Sequence, residues 1–436
     1  MNSTSSSYQV LTEEYLQNVL HNKLGEDFIQ SYLDNSNYFT FIHVADTHNG
    51  YSGNASKYNE YSALRVDKRN EYDVNIRQDD FDKALAQVMD IAIAYNVDAV
   101  LHAGDGTDSW GYKKAYTLKT YMNQVERLQP HNIKFVEIAG NHNLPTESAT
   151  GTYLEIIGKL PEVYTVYRGI YETVEFSEHN VVIHCAPSSY DQEAMNDALD
   201  SISSAEGKIN IGMTHLGVTT IPHYAEHSEG ALVTHLDKLI NCKMDYFCLG
   251  DYHKFTDFGH NIYYSGSTER LGFGEVHNQP QIIMVAIHKE TKEVIARPLP
   301  LKVRPMLDLK EIDASEKSLE EVNKLIVKQL SSHDLTGAIV RLRAVNLPKE
   351  YKLGIDIDTI NELTQNCLYF KLNFKNKTEN SLGTRTSQIE GDRFEGVLPG
   401  FLTFMKRVEE DGTFDKERLT QKGYKRLSNT YEKRNL

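Results

Sequence analysis

A chain of 436 residues carrying 61 acidic against 46 basic side chains, net charge −15, is too long for one ordinary core and too acidic to coat nucleic acid non-specifically. Its four cysteines lack zinc-knuckle spacing, and Cys185, Cys248 and Cys367 sit in apolar runs, which suits reduced thiols in a cytoplasmic compartment. No apolar run approaches the length of a membrane span, and the start MNSTSSS lacks the basic-then-apolar order of a signal peptide, so no membrane is expected among its partners.

Residues 1–37 read as an N-terminal extension, Ser-rich and then helical. Leu11, Tyr15, Leu16, Val19, Leu20, Leu24 and Phe28 recur near helical period, giving a face that docks on the body of the protein or on a partner. The stretch FTFIHVADTHNG (39–50) follows. Its apolar, β-branched run predicts a buried parallel strand, and it ends in Asp46 and His48, polar groups delivered to the carboxyl edge where open α/β sheets place their chemistry. Strand alternation would point both side chains the same way. The polar stretch 51–75 is too long for an ordinary connection and reads as a functional loop.

Phe81, Leu85, Val88, Met89 and Ala92 share one helical face and lead into a strand over 97–103, making a βαβ unit. That strand ends in Gly104-Asp105, the next (133–139) in Gly140-Asn141-His142, then 209–213 runs into His215 and 246–249 into Gly250-Asp251-Tyr252-His253. The glycines would let the backbone turn sharply. Further apolar segments around Val174, 181–184, 262–264 and 282–287 complete an α/β core of two packed mixed sheets sandwiched by helices. His43 and His184 lie inside apolar strands and read as satisfied core residues, whereas His223, His227 and His235 read as loop or helix-surface residues.

Residues 38–303 form the expected main domain. From Arg304-Pro305 the character changes to a small α+β cap over 304–376: strand 306–309, a helix over 319–330 introduced by the capping box Ser318-Leu319-Glu320-Glu321, strand 338–344, a short helix and strand 368–375. Arg341, Arg343, Lys371 and Lys375 alternate with apolar residues there, as a phosphate-tracking face or simply a solvated one. Residues 377–436 read as a flexible connection and a basic helix with Arg418, Lys422, Lys425, Arg426, Lys433 and Arg434, a partner-binding arm or a solvated tail.

A Gly-Asp or Asn-His after one strand is ordinarily a turn device. Five strand ends in one order, supplying Asp46, His48, Asp105, Asn141, His215, Asp251 and His253, form a set of carboxylates, imidazoles and an amide suited to manganese, iron or magnesium rather than a closed zinc cage. Seven ligands suit two ions about 3.5–4 Å apart that share a carboxylate, an arrangement made for in-line attack on phosphorus.

The motifs ADTHNGY (45–51), LHAGDGTDS (101–109), AGNHN (139–143), MTHLG (213–217), LGDYHKF (249–255) and YSGSTERLGFGE (264–275) resemble the calcineurin-like metallophosphoesterases, and within them the SbcD-type nucleases of DNA double-strand-break repair. The resemblance implies a two-metal fold whose first ion is held by Asp46, His48, Asp105 and His253 and whose second is held by Asp105, Asn141, His215 and Asp251, with Asp105 bridging. It implies His142 as the acid that protonates the leaving oxygen, and Asp108, Ser267 and Arg270 on the substrate side. It further implies manganese, with magnesium or iron as alternatives; exonuclease and single-strand endonuclease activity on DNA ends; and DNA, an SMC-like ATPase subunit and a second copy of the chain as partners near the nucleoid. This chain departs from the family at Asp251, where a histidine is usual, at Asn143, where an aspartate is usual, and in its N-terminal extension. A small-molecule phosphodiesterase and a weakly catalytic scaffold subunit that binds DNA ends are the alternatives.

Overall fold

Apolar runs too continuous for a half-solvated sheet become central strands covered on both faces. Tyr38–Val44 is buried from Phe39 onward, pairs parallel with Ala99–His102 and antiparallel with Gln281–His288, and sits inside a six-stranded sheet. The order of that sheet is Val294–Pro300, Gln281–His288, Tyr38–Val44, Ala99–His102, Lys134–Ile138, Val163–Val166. A second six-stranded sheet runs Thr256–Asp257, Ile262–Tyr264, Tyr246–Gly250, Ile209–His215, Val181–Ala186, Glu172–Phe176. The computed structural model describes residues 10–16, 21–25, 29, 37–52, 66, 68–108, 115–144, 151–226, 231–375 and 420–421. The chain divides into two units, Met1–Lys375 and Asn376–Leu436; apart from 420–421, the connection and basic helix expected over 377–436 lie outside the described residues.

The two sheets face each other through Phe39, Phe41, Leu101, Val136, Ile183, Ile211 and Cys248. Leu85, Val88 and Met89 of the helix Ile76–Ala94 cover the outer face of the first sheet, and Met195, Leu199 and Leu239 of two shorter helices cover that of the second. The fold is therefore the expected α/β sandwich. His43 spans its middle, with Nδ1 3.1 Å from the Tyr246 hydroxyl and Nε2 3.3 Å from the Leu249 carbonyl; burial pushes its pKa down to about 3, so it is a neutral core residue. His184 is satisfied likewise, between Tyr171 and Asn210.

The N-terminal extension docks where it is described. Leu11, Leu16, Leu24 and Ile29 join the cluster on the helix Ile76–Ala94, and Asp90 Oδ2 accepts the backbone N–H of Val10 and Leu11 at 2.8 and 2.7 Å. Val19, Leu20 and Phe28 lie outside the described residues. No described helix is long and apolar enough to cross a membrane, and none of the four cysteines is in a disulfide.

After residue 305 a third, wholly parallel sheet forms. Ile339–Val345 is its centre, with Tyr369–Lys375 on one edge and Met306–Asp308 followed by Ile312–Asp313 along the other. The helix Leu319–Ser331 packs on it and begins with the capping box of Ser318 and Glu321. Arg341 and Arg343 both donate to Asp308, and Arg341 lies 4.5 Å from the centroid of the Phe273 ring. These two cations are thus engaged within the protein, which weakens the phosphate-tracking reading of that face.

Arg304 joins this sheet to the first helix through a bidentate pair, donating to Asp80 Oδ2 at 2.7 Å and Oδ1 at 2.6 Å. Asp80 also accepts from the fully buried Arg77 at 2.7 Å. Removing the shared carboxylate takes from a buried guanidinium its nearest negative charge, leaving Glu269 at 3.6 Å. Asp80→Ala should cost about 3 kcal/mol of unfolding free energy, and Arg304→Ala only about 2 kcal/mol, the loss of charge-assisted hydrogen bonds. Urea unfolding of the two variants checks the order.

Candidate metal centre

The strand Tyr38–Val44 stops before the residues it was expected to aim. Asp46 and His48 have φ of 53° and 43°, in the left-handed region, so strand alternation does not set their common direction. A loop does: the Asp46 N–H donates to Gly104 O at 3.0 Å and the His48 N–H to Asp105 O at 2.9 Å, lacing the first loop to the second. Asp105 and Asp251 are also left-handed, at 58° and 97°, a conformation aspartate tolerates better than most residues.

The glycines before the polar residues serve two different needs. Gly104 has φ 96°, a turn that wants no side chain. Gly140 and Gly250 instead make room: a Cβ at Gly140 would lie 2.1 Å from Asp105 Oδ1, and one at Gly250 2.1 Å from Ala103 O.

The resulting loops bring the predicted residues together. His48 Nε2 stands 3.2 Å from His253 Nε2 and 3.9 Å from Asp105 Oδ2, and His253 Nε2 stands 3.8 Å from Asp46 Oδ1. On the other side His215 Nε2 lies 3.1 Å from Asn141 Oδ1, 3.4 Å from Asp105 Oδ2 and 3.7 Å from Asp251 Oδ1. Asp46, His48 and His253 form one group able to hold a cation; Asp46, Asp105 and His215 form another; His48, Asp105 and His142 form a third. Asp105 Oδ2 faces both His48 and His215, as a shared ligand must.

These residues fit divalent cations. Two imidazole nitrogens that face each other at 3.2 Å among carboxylates have the spacing of neighbouring ligands on an octahedron of roughly 2.1 Å bonds. Asp46, His48, Asp105 and His215 are at most 2 % exposed, and carboxylates buried this way require a positive partner. Burial pushes Asp46 up to about 6 and drives His48 well below the usual imidazole range. At His215 burial opposes the charge but is outweighed by Asp105, Asp46 and Asp251, so its pKa rises to about 10. At His253 burial is outweighed by Glu275, Asp46 and Asp251, again to about 10. Asp105 is held below the carboxylate range: burial works against its charge, and His215, His142 and His48 overcome it.

Outer partners orient these groups. His215 Nδ1 donates to Ala103 O at 2.8 Å, which leaves Nε2 as the lone-pair nitrogen facing the centre. His253 Nδ1 lies 2.7 Å from Glu275 Oε1. Tyr224 donates to Asp251 Oδ2 at 2.6 Å, and burial together with that carboxylate holds the phenol far above its ordinary pKa. Beneath the loops Thr47 Oγ1 donates to Gly106 O at 2.8 Å and lies 3.0 Å from His102 Nε2. Glu137, pushed up to about 8 by burial, accepts from Tyr121 at 2.9 Å and from Tyr153. Glu275, Tyr224, His102 and Glu137 are assigned no role by the sequence, although Glu275 falls in the GFGE of 272–275 and His102 in the LHAGDGTDS of 101–109.

His142 has 36 % of its side chain exposed, whereas Asp46, His48, Asp105 and His215 are buried. Its Nδ1 is 3.6 Å from Asp108 Oδ1, and its backbone N–H donates to Asp105 Oδ1 at 3.0 Å. Burial opposes its charge, but Asp105 and Asp108 hold it above the usual imidazole range. Asn143 donates to Thr107 O at 2.8 Å, and the carboxylate that faces His142 is that of Asp108. Ser267 is 1 % exposed, and Arg270 donates to Asn278 O at 2.9 Å. A cleft of about 370 Å³ opens beside Asn141, His215 and Asp251 and is walled by Ser188, Ser189, Tyr190 and Leu232.

Residues 39–255 match the calcineurin-like phosphoesterase family. Among curated relatives, a DNA double-strand break repair protein Mre11 of Methanosarcina acetivorans is 28% identical over 295 residues, 66% of this chain and 43% of that protein. Its namesake in Methanosarcina mazei is 26% identical over 66% of this chain and 42% of that protein, and that of Thermoplasma acidophilum 26% identical over 54% and 58%. The matches thus span less than two thirds of each relative's length.

Two measurements test the centre. Glu275→Gln keeps an acceptor for His253 but removes the charge, and should weaken manganese binding about 10-fold, as outer partners of metal ligands do; unchanged affinity in a manganese titration would leave Glu275 only a packing role. In the metal-free protein His215 and His253, both raised to about 10, are protonated at neutral pH, and a cation must displace those protons. Affinity should therefore rise with pH from neutrality towards 10, with protons released. Calorimetry in two buffers of different ionisation enthalpy reads that release directly.

Proposed function

The chain belongs to the calcineurin-like phosphoesterases through its residues 39–255, and from that premise we propose a two-metal phosphodiesterase that cleaves DNA in the processing of broken ends. The observation that carries the reading is the convergence of five strand ends on Asp105, with His48 and His253 on one side and His215 and Asn141 on the other. Asp46, His48, Asp105 and His253 would hold one ion, and Asp105, Asn141, His215 and Asp251 the other, manganese before magnesium or iron for so oxygen-rich a set. Bound there, the ions supply an activated water and neutralise charge on the phosphate.

The protein's own groups do the rest. His142 is the half-buried imidazole at the rim, where burial opposes its charge but Asp105 and Asp108 hold it above the usual imidazole range. It is therefore equipped to give a proton to the departing oxygen. Asp108 takes over the charge-holding role that Asn143 cannot fill.

DNA as the substrate is supported by relatives named for double-strand break repair, and the unpaired cysteines suit a reducing cytoplasm. The basic segment from Lys416 onward would serve as the arm for an SMC-like ATPase subunit, with a second copy of the chain as the other partner. A scaffold subunit with little catalysis is the competing reading, favoured by Asp251 in place of histidine.

Cleavage assays decide between them. With labelled duplex and hairpin DNA, manganese should activate strongly, magnesium less, and EDTA should abolish the reaction. Asp105→Ala should lose more than about 100-fold, since even outer partners cost 10–100-fold. His142→Asn should lose about 100-fold with metal binding intact. Cleavage of bis-p-nitrophenyl phosphate without cleavage of DNA would point to a small-molecule enzyme, and activity that survives chelation would end the two-metal reading.

A further inference from the structure

The carboxyl group of Asp251 is held by one oxygen and leaves the other turned inward. Tyr224, on the short helix Pro222–Glu226, donates its hydroxyl to Oδ2 at 2.6 Å, while Oδ1 faces His215 Nε2 at 3.7 Å. The phenol is itself fixed. Tyr224 is 4 % exposed, sits edge-on to Tyr252 with ring centroids 5.9 Å apart, and lies so close over Gly217 that a Cβ there would come within 2.4 Å of its ring. The backbone of Asp251 is fixed as well, its N–H donating to Asp46 Oδ2 at 3.2 Å.

A carboxylate and an imidazole differ as ligands in more than charge. The carboxylate has two equivalent oxygens and a broad, roughly two-fold torsion about its last bond; it can chelate through both oxygens or swing aside. The imidazole offers one nitrogen along one direction. A short hydrogen bond to a carboxylate oxygen is among the stronger ones available, and it fixes the torsion of the group and makes that oxygen the poorer of the two ligands.

We propose that Tyr224 is a positioning residue for the second metal ion: by occupying Oδ2 it makes Asp251 a one-oxygen ligand aimed beside His215, restoring the single directed donor that a histidine would supply. The inference rests on the two-ion reading above. It accounts for Asp251 and Tyr224 as one unit, in which the change at 251 is matched by a phenol delivered from another part of the chain. It also explains why the residue at 217 is a glycine, since the ring occupies the space of its side chain.

Manganese titration by calorimetry, with electron paramagnetic resonance of the bound ions, tests this on the full metal-free chain as wild type, Tyr224→Phe, Asp251→His and the double variant, with Asp105→Ala as control. Phenylalanine keeps the ring and its packing. Tyr224→Phe should weaken the second binding step about 10-fold and leave the first unchanged, with a broadened resonance from the second ion. On the Asp251→His background the same change should alter affinity by less than about 2-fold, because the phenol has lost its acceptor. Equal affinities of wild type and Tyr224→Phe, or an equal loss on both backgrounds, would overturn the proposal. If Asp105→Ala still bound two ions as tightly as wild type, the two-ion reading itself would fail, whatever Tyr224→Phe does.

Discussion

Burying a carboxylate costs several kcal/mol unless its charge is met, and here two carboxylates, Asp46 and Asp105, are buried in one cluster with His215. Asp105 is met from within: His215, His142 and His48 keep it ionised, and the His142 N–H binds its other oxygen. Asp46 is met less fully: burial pushes it up to about 6 even though His253 and His215 favour its charge and the Asp251 N–H donates to it. A fold that gathers negative charge this way holds a destabilised pocket until cations arrive. The two sheets around Phe39, Phe41, Leu101 and Ile211 supply the rigid, apolar frame that sustains it.

The backbone bears part of that cost. Asp46, His48, Asp105 and Asp251 all sit at positive φ, each with strain of about 1 kcal/mol or more. A residue in that region turns its side chain where neither strand nor helix would, which is how the loops after three separate strands turn these four side chains to a common point. The lacing of 46–49 against 104–107 by main-chain hydrogen bonds lets the strain persist. Thr47, His102 and Glu137 anchor the same loops from below.

The sequence makes legible what local pattern encodes. An apolar run ending in a polar residue is visible at 39–48 and 246–253, and so the candidate ligands and the sandwich can be read off; the capping box at Ser318 is equally local. What depends on meetings between distant segments cannot be read that way. Glu275 matters through His253, 22 residues away, and Tyr224 through Asp251, 27 residues away. The alternating Arg341 and Arg343 look like a free basic face because Asp308, their partner, is 33 residues earlier on an adjacent strand. Asp46 and His48 do share a direction, but its cause is not legible for a related reason: alternation describes strands, and these residues lie just past the end of one.

The third sheet and the candidate metal centre share a support that links them physically. Arg304 clasps Asp80, Asp80 holds Arg77, and Arg77 donates to the backbone carbonyl of Arg270 while lying 3.6 Å from Glu269. The same loop continues to Glu275, which accepts the Leu271 N–H on one oxygen and meets His253 with the other. Each link is a charge-assisted or main-chain hydrogen bond between buried or half-buried groups, so none can lengthen without exposing an unmet charge. The imidazole of His253 is therefore oriented by a run of contacts that begins at the base of the third sheet, and a force that tilted that sheet would reach the centre through the groups least able to yield.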